Sequence, residues 1–386
     1  MMEYTNWRVA KICGQRPRAG IWLPVLAMVI LICPDSSLLF ALTDQKDGTA
    51  VQGKELRDGA HDFDFSIGVW HTHIRRVLDP LSGSQESMEP NGTVTSRKIW
   101  GGRALLEEIE ADGPKGHWEG LSLFLYDPQA HQWSQSFINS SRGDLPTPLV
   151  GEFHDGRGEL FQQDTFKVKT IQVRGLWTVS SPDAHRYEES YSDDGGKTWK
   201  VSFIGDKTRD ENVKEQDGTA VADPPAAQEV VGQSDFNFDL GMWKVHSRRM
   251  LHPLTGSHDW VEMDGTTVVK KVWGGRANLA EYDATGTGGH VVLLSLRWFN
   301  PVSHEWNIDF ATPQVGTLGV PGVGTFKNGR ADFYDYEPIG GRTVNVRFSI
   351  WKATDDAMQT EQAFSDDGGK TWEVNWTSQY WRVKGE

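Results

Sequence analysis

Asp62-Phe63-Asp64-Phe65-Ser66-Ile67-Gly68-Val69-Trp70 returns 173 residues later as Asp235-Phe236-Asn237-Phe238-Asp239-Leu240-Gly241-Met242-Trp243. Outward from this pair, Asp62–Arg209 lies on Asp235–Arg382 without a gap, and about two positions in five are identical. Trp100-Gly101-Gly102-Arg103 falls on Trp273-Gly274-Gly275-Arg276, and Trp133 on Trp306. Ser192–Trp199 recurs letter for letter as Ser365–Trp372. Solenoid and propeller units are too short to bury a core alone, whereas a unit of about 150 residues is the size of an independent domain. The chain therefore reads as two similar folded domains.

Each copy carries a β pattern. Apolar and polar residues alternate in Leu121-Ser122-Leu123-Phe124-Leu125-Tyr126 and in Thr343-Val344-Asn345-Val346-Arg347-Phe348. Turn signals such as Asp79-Pro80, Pro90-Asn91-Gly92, Asp127-Pro128 and Asp155-Gly156 punctuate the runs, as antiparallel strands joined by tight turns require. No stretch combines a helical period with caps. The 17 tryptophans and 41 glycines suit aromatic strands joined by turns. Roughly eight or more strands per copy make a barrel or a sandwich, and the expected fold is all-β, two tandem antiparallel β-barrels.

Glycine, one residue, then tryptophan at the start of the first strand resembles the lipocalin (calycin) signature. Ile99–Glu108, Leu121–Trp133 and Glu188–Trp199 follow in an order similar to that of exported bacterial lipocalin-like proteins of unknown function, over nearly all of both copies. That family usually carries the unit once, so the tandem is a departure. The resemblance implies that Trp70 and Trp243 plug the closed barrel ends and that Arg209 and Arg382 pack over their indoles as cation–π lids. It implies no established reaction. Ser192–Trp199 and Ser365–Trp372 are also complete Asp-boxes. Their recurrence only once per copy is too sparse for a propeller, so Asp194, Trp199, Asp367 and Trp372 read as hairpin residues.

The formal net charge of -14 argues against a nucleic-acid partner, which would require a basic stripe. Both cysteines, Cys13 and Cys33, precede the repeat, so no disulfide, Cys-based zinc site or thiol nucleophile is expected in it. Arg8, Lys11, Arg16 and Arg18 followed by the apolar run Ile21–Cys33 read as an export signal ending near Ala41. The run is short for a bilayer span of roughly 20 residues, with an uncleaved anchor as the alternative. The expected organisation is a signal peptide at 1–41, a polar tether at 42–60, barrel 1 at 61–209, a linker at 210–233 and barrel 2 at 234–386. The mature protein is expected to be periplasmic or secreted, without a stable membrane span.

Strand parity supplies the candidate site. Ala104, Leu106 and Glu108 share one face and are identical in the other copy as Ala277, Leu279 and Glu281, whereas Leu105, Glu107 and Ile109 face Asn278, Ala280 and Tyr282. Packing constrains interiors tightly, so the shared face reads as the inner one, with Glu108 and Glu281 pointing inward. Arg76 and Arg249 are in phase with Trp70 and Trp243, and Arg174 and Arg347 form a further matched pair. These six residues are the ligand-binding candidates; the first reading of such inward charges is a structural Arg–Glu pair closing the barrel end, and the second is a polar anchor for a ligand carboxylate or carbonyl. The recurring histidines His73/His246, His117/His290 and His131/His304 read as surface or loop residues, so no metal, cofactor or catalytic residue is assigned. The leading expectation is binding or carriage of a small, largely apolar molecule. The alternatives are an enzyme that shapes a reactive substrate, as cyclases and hydratases do, and a protein- or glycan-interaction module. The ligand and the oligomeric state stay open.

Overall fold

The computed structural model describes residues 57–212 and 230–384. The expected signal peptide, most of the tether and most of the linker lie outside the described residues. The chain is all-β. Barrel 1 comprises β1 (Gly68–Val77), β2 (Ser87–Met88), β3 (Asn91–Ile99), β4 (Ala104–Gly113), β5 (Gly116–Asp127), β6 (Gln132–Asn139), β7 (Leu149–His154), β8 (Arg157–Phe166), β9 (Lys169–Ser181), β10 (Ala184–Ser192) and β11 (Lys200–Arg209). Barrel 2 comprises β12 (Gly241–Met250), β13 (Trp260–Val272), β14 (Ala277–Gly286), β15 (Gly289–Asn300), β16 (Glu305–Ala311), β17 (Gly322–Lys327), β18 (Arg330–Ile339), β19 (Arg342–Thr354), β20 (Ala357–Ser365) and β21 (Glu373–Arg382). Each is an antiparallel meander closed by its first and last long strands, β1 on β11 and β12 on β21, with β2 added at the end of β1. Closure leaves no open edge along the ring.

The Gly-Xaa-Trp phrases shut one end of each barrel. The indole N–H of Trp70 donates to the Ser66 carbonyl at 2.7 Å, and that of Trp243 donates to the Asp239 carbonyl at 2.6 Å. The guanidinium of Arg209 lies 4.2 Å from the Trp70 ring centre, and that of Arg382 lies 4.1 Å from Trp243. Glycine is needed beside these lids on two counts. Gly68 has φ +128°, and a Cβ there would stand 2.6 Å from Arg209 Nη1. The approach segments complete the seal, with the Gly59 carbonyl accepting from Trp133 Nε1 at 2.8 Å and the Gly232 carbonyl from Trp306 Nε1 at 2.9 Å.

Trp100, Ala104, Leu106, Leu121 and Leu123 on the outside of barrel 1 pack in one buried cluster with their own duplicates Trp273, Ala277, Leu279, Leu294 and Leu296. The alternation in β5 is therefore inverted relative to a solvated barrel wall, because Leu121, Leu123 and Leu125 face the second barrel. The contacts are reciprocal. Glu108 accepts the Trp273 backbone N–H, and Glu281 accepts the Trp100 backbone N–H at 3.0 Å. Gly143 packs on Asn300 and Pro301, and its duplicate Gly316 packs on Asp127. Each patch meeting its own copy is the arrangement of a two-fold dimer interface, here within one chain. Two contacts break the symmetry. Arg276 donates to Glu119, whereas Val292 occupies the position in barrel 2 that matches Glu119. Trp298 Nε1 reaches the Gly143 carbonyl at 2.9 Å, and Leu125 stands at the position matching Trp298.

Each Asp-box joins the last two strands of its barrel. Asp194 accepts the amides of Lys197 and Thr198 at 3.0 and 2.9 Å, and Asp367 accepts those of Lys370 and Thr371 at 2.9 and 3.0 Å. These donors favour the charged form and hold both carboxyls at about 2.

Candidate functional site

Barrel 1 holds a cavity of about 390 Å³, within the range of small-molecule pockets. Alternate residues of the strands line it. Ile74, Ile109, Phe137, Leu149 and Phe203 supply apolar wall, and Arg76, Arg142, Lys207, Glu107, Asp164 and Glu189 supply charge. Lys207 Nζ lies 2.6 Å from Glu107 Oε2, with both side chains almost wholly buried. Lys207 also stands 4.7 Å from the Trp177 ring centre, so the ammonium is held between a carboxylate and an aromatic face. Glu189 accepts the Ser202 hydroxyl at 2.8 Å. Burial raises its pKa, against the opposing effects of Ser202, Tyr191 and the Arg76 charge. Below the cavity, His185 sits 4.2 Å from the Trp70 ring, with neither ring nitrogen hydrogen-bonded among the described residues. Burial, aided by Lys207 and Arg209, depresses its pKa to about 2, so the ring is neutral.

Barrel 2 holds a smaller cavity of about 180 Å³ with a mostly apolar lining. Ala280 stands where barrel 1 has Glu107, Gln362 where it has Glu189, Tyr380 where it has Lys207 and Met358 where it has His185. Of its sixteen lining residues only Ser295 and Phe310 are matched by identical residues in barrel 1. Its buried ion pair sits elsewhere, between Arg297 and Asp239, at positions that carry Phe124 and Ser66 in barrel 1. The copies thus agree where the barrels meet and differ where they enclose space.

This arrangement overturns the sequence-based choice of inner face. Glu108 and Glu281 do not point inward; they hold the barrels together, and Glu108 also pairs with Arg97. An isologous contact constrains a face as strongly as a core does, and identity between copies cannot tell the two apart. Arg174 and Arg347 are corrected too. They lie on the outer face, stacked on the Asp-box tryptophans Trp199 and Trp372 at 4.7 and 4.9 Å and beside Glu159 and Glu361. Arg76 lines the cavity of barrel 1. Arg249 lies 5.6 Å from the ring centre of Trp376, which lines the cavity of barrel 2. The expected Arg–Glu pairing of Arg76 with Glu108 and of Arg249 with Glu281 is absent among the described residues. Sequence reasoning passed over Glu107, Glu189 and Lys207. Their signal was present as charge on the face that differs between copies. The histidines stay apart, and no group of three or more His, Cys, Asp or Glu among the described residues could hold a metal ion.

A family model for the BNR/Asp-box repeat matches residues 190–201 and 363–374, the two hairpins. No curated protein matches the chain. Among solved structures the chain is similar to an S-type phycobiliprotein lyase from Guillardia theta, at 10% identity over 40% of this chain and 93% of that one, with a TM-score of 0.30. It is similar to a DUF3598-family protein of unknown function from Nostoc punctiforme, at 11% identity over 85% and 100%, with a TM-score of 0.23. It is also similar to a de novo designed fluorescence-activating β-barrel, at 16% identity over 40% and 100%, with a TM-score of 0.22. With TM-scores this low, none of these likenesses assigns the chain a family, a ligand or an activity.

Proposed function

We propose that the chain is an exported lipocalin-like protein that binds or carries a small, largely apolar molecule in barrel 1. One observation carries this reading: the buried Glu107–Lys207 pair in a mixed cavity, where it stands among polar side chains and an apolar, aromatic wall of Ile74, Ile109, Phe137, Leu149 and Phe203. Burying two charges costs several kcal/mol per ion before their attraction offsets it. Barrel 2 closes with Ala280 and Tyr380 in their places, so the fold does not require the pair. The cavity offers a donor and an acceptor side by side with no net charge. It suits a ligand with an apolar body and an uncharged head that both gives and accepts a hydrogen bond, such as a hydroxyl or an amide. The test is native mass spectrometry of the full chain purified from its own host. A bound small molecule is expected for the natural sequence, and its loss from barrel 1 in the Glu107→Ala/Lys207→Tyr variant, which carries the residues found at those positions in barrel 2. An empty natural protein contradicts the reading.

Catalysis in the same cavity is the second reading, and Glu189 is the observation that favours it. A half-buried carboxyl of raised pKa beside a bound molecule can serve as a general acid. Loss of turnover of the co-purifying molecule in Glu189→Gln, with binding retained, would select catalysis over carriage.

A further inference from the structure

We infer that barrel 2 is a second and different binding site, one that takes a single-ring aromatic molecule bearing one hydrogen-bond acceptor. Size sets the first limit. An apolar cavity of about 150 Å³ stays dry and admits benzene, and the cavity here measures about 180 Å³. Ala280, Leu293, Phe310, Phe348, Ile350 and Trp376 supply walls that fit a ring. Three buried polar atoms set the second limit. Thr267 Oγ1, Ser295 Oγ and Arg297 Nε belong to lining residues that are 4%, 4% and 5% exposed, and none has a hydrogen-bond partner among the described residues. Buried polar atoms are normally paired, and leaving one unpaired is costly. Arg297 Nε can only donate, and both hydroxyls can donate as well as accept, so an acceptor is the one partner type that suits all three. The other hydroxyls of the lining are engaged, Tyr282 with Ser247 at 2.9 Å and Thr360 with Tyr380 at 3.4 Å. Arg297 is already neutralised by Asp239, so the acceptor is a carbonyl or ether oxygen and not a carboxylate.

The inference does not rest on a ligand in barrel 1, because the residues concerned are not shared. Acetophenone provides the ring and one carbonyl, and α-methylstyrene is its near-isostere without the acceptor. Titrated into the full chain with labelled methionine methyls, acetophenone should shift the Met358 methyl. It should bind at least about tenfold more tightly than α-methylstyrene, the value of one hydrogen bond to a waiting donor. Ala280→Phe should fill the space and abolish the shift. Thr267→Val, which keeps the side-chain shape and installs the residue type of Val94, should leave binding but remove part of the preference for acetophenone. This milder variant tests the idea even if Ala280→Phe does not fold. A Met358 methyl unmoved by either molecule, equal affinity for the two, or unchanged preference in Thr267→Val would overturn the inference.

Discussion

The carboxylate of Glu108 accepts the backbone N–H of Trp273, so a side chain of one barrel satisfies the main chain of the other. The pseudo-symmetric contact joins Glu281 to the N–H of Trp100. Both tryptophans hold left-handed φ of 55°, a conformation uncommon outside glycine. Glu108→Ala strips the partner from the Trp273 N–H and from Arg97. We expect a loss of about 3 kcal/mol in urea unfolding of the full chain, since one member of a buried charged contact is removed. Ligand content of barrel 1 should not change.

The reciprocal glycines give a second prediction. A Cβ on Gly316 would stand 2.4 Å from the Asp127 backbone nitrogen, a contact that neither barrel relieves without moving. Gly316→Ala should widen the particle measured by small-angle scattering while circular dichroism keeps its β signature. An unchanged radius of gyration would show that the contact is not tight in solution.

Asp335 of barrel 2 and His185 of barrel 1 should contribute pH dependences of opposite sign. In barrel 2, burial and the neighbouring Glu337 and Asp309 charges raise Asp335 from 3.8 to about 7, and burial raises Asp309 to about 6. Carboxyls of raised pKa contribute stability that is whole below about pH 4 and is lost as pH rises through about 7. Asp335→Asn should flatten that loss in denaturation curves between pH 4 and 8, by an amount on the order of 2 kcal/mol after allowing for solvent screening.

In barrel 1 the depressed His185 acts the other way. Its stability contribution is present above about pH 6.5 and falls as pH drops toward 2. His185→Met, which installs the residue of barrel 2, should reduce acid unfolding below pH 6 and leave the profile above pH 7 unchanged. Equal acid sensitivity of the variant and the natural protein would remove His185 from the account.

Much of the fold was legible because the sequence states it twice. Gly68-Val69-Trp70 and Arg209 marked one closed end and its lid, since a glycine beside a capped indole leaves a fixed spacing. Identity between copies records constraint without saying which surface imposes it. Ala104, Leu106 and Glu108 were read as core because a core was the only constraint considered, whereas the second barrel covers that face. Arg174 and Arg347 misled for a related reason: each is fixed by an Asp-box tryptophan on the outer wall. Glu107 is hidden by the same logic, because it differs between the copies and so reads as outward, and Glu189 and Lys207 carry no repeat identity that would single them out.

Glu107 and Glu108 are adjacent in sequence and face opposite ways, one into a cavity and one onto the other barrel. The most direct test of the account is therefore a fluorescence titration of the full chain with the neutral probe N-phenyl-1-naphthylamine, comparing Glu107→Gln with Glu108→Gln. Glu107→Gln should bind about tenfold more weakly, the value of one hydrogen bond to a charged group, and Glu108→Gln should bind as the natural protein does. Weakened binding in Glu108→Gln with Glu107→Gln unaffected would contradict the account.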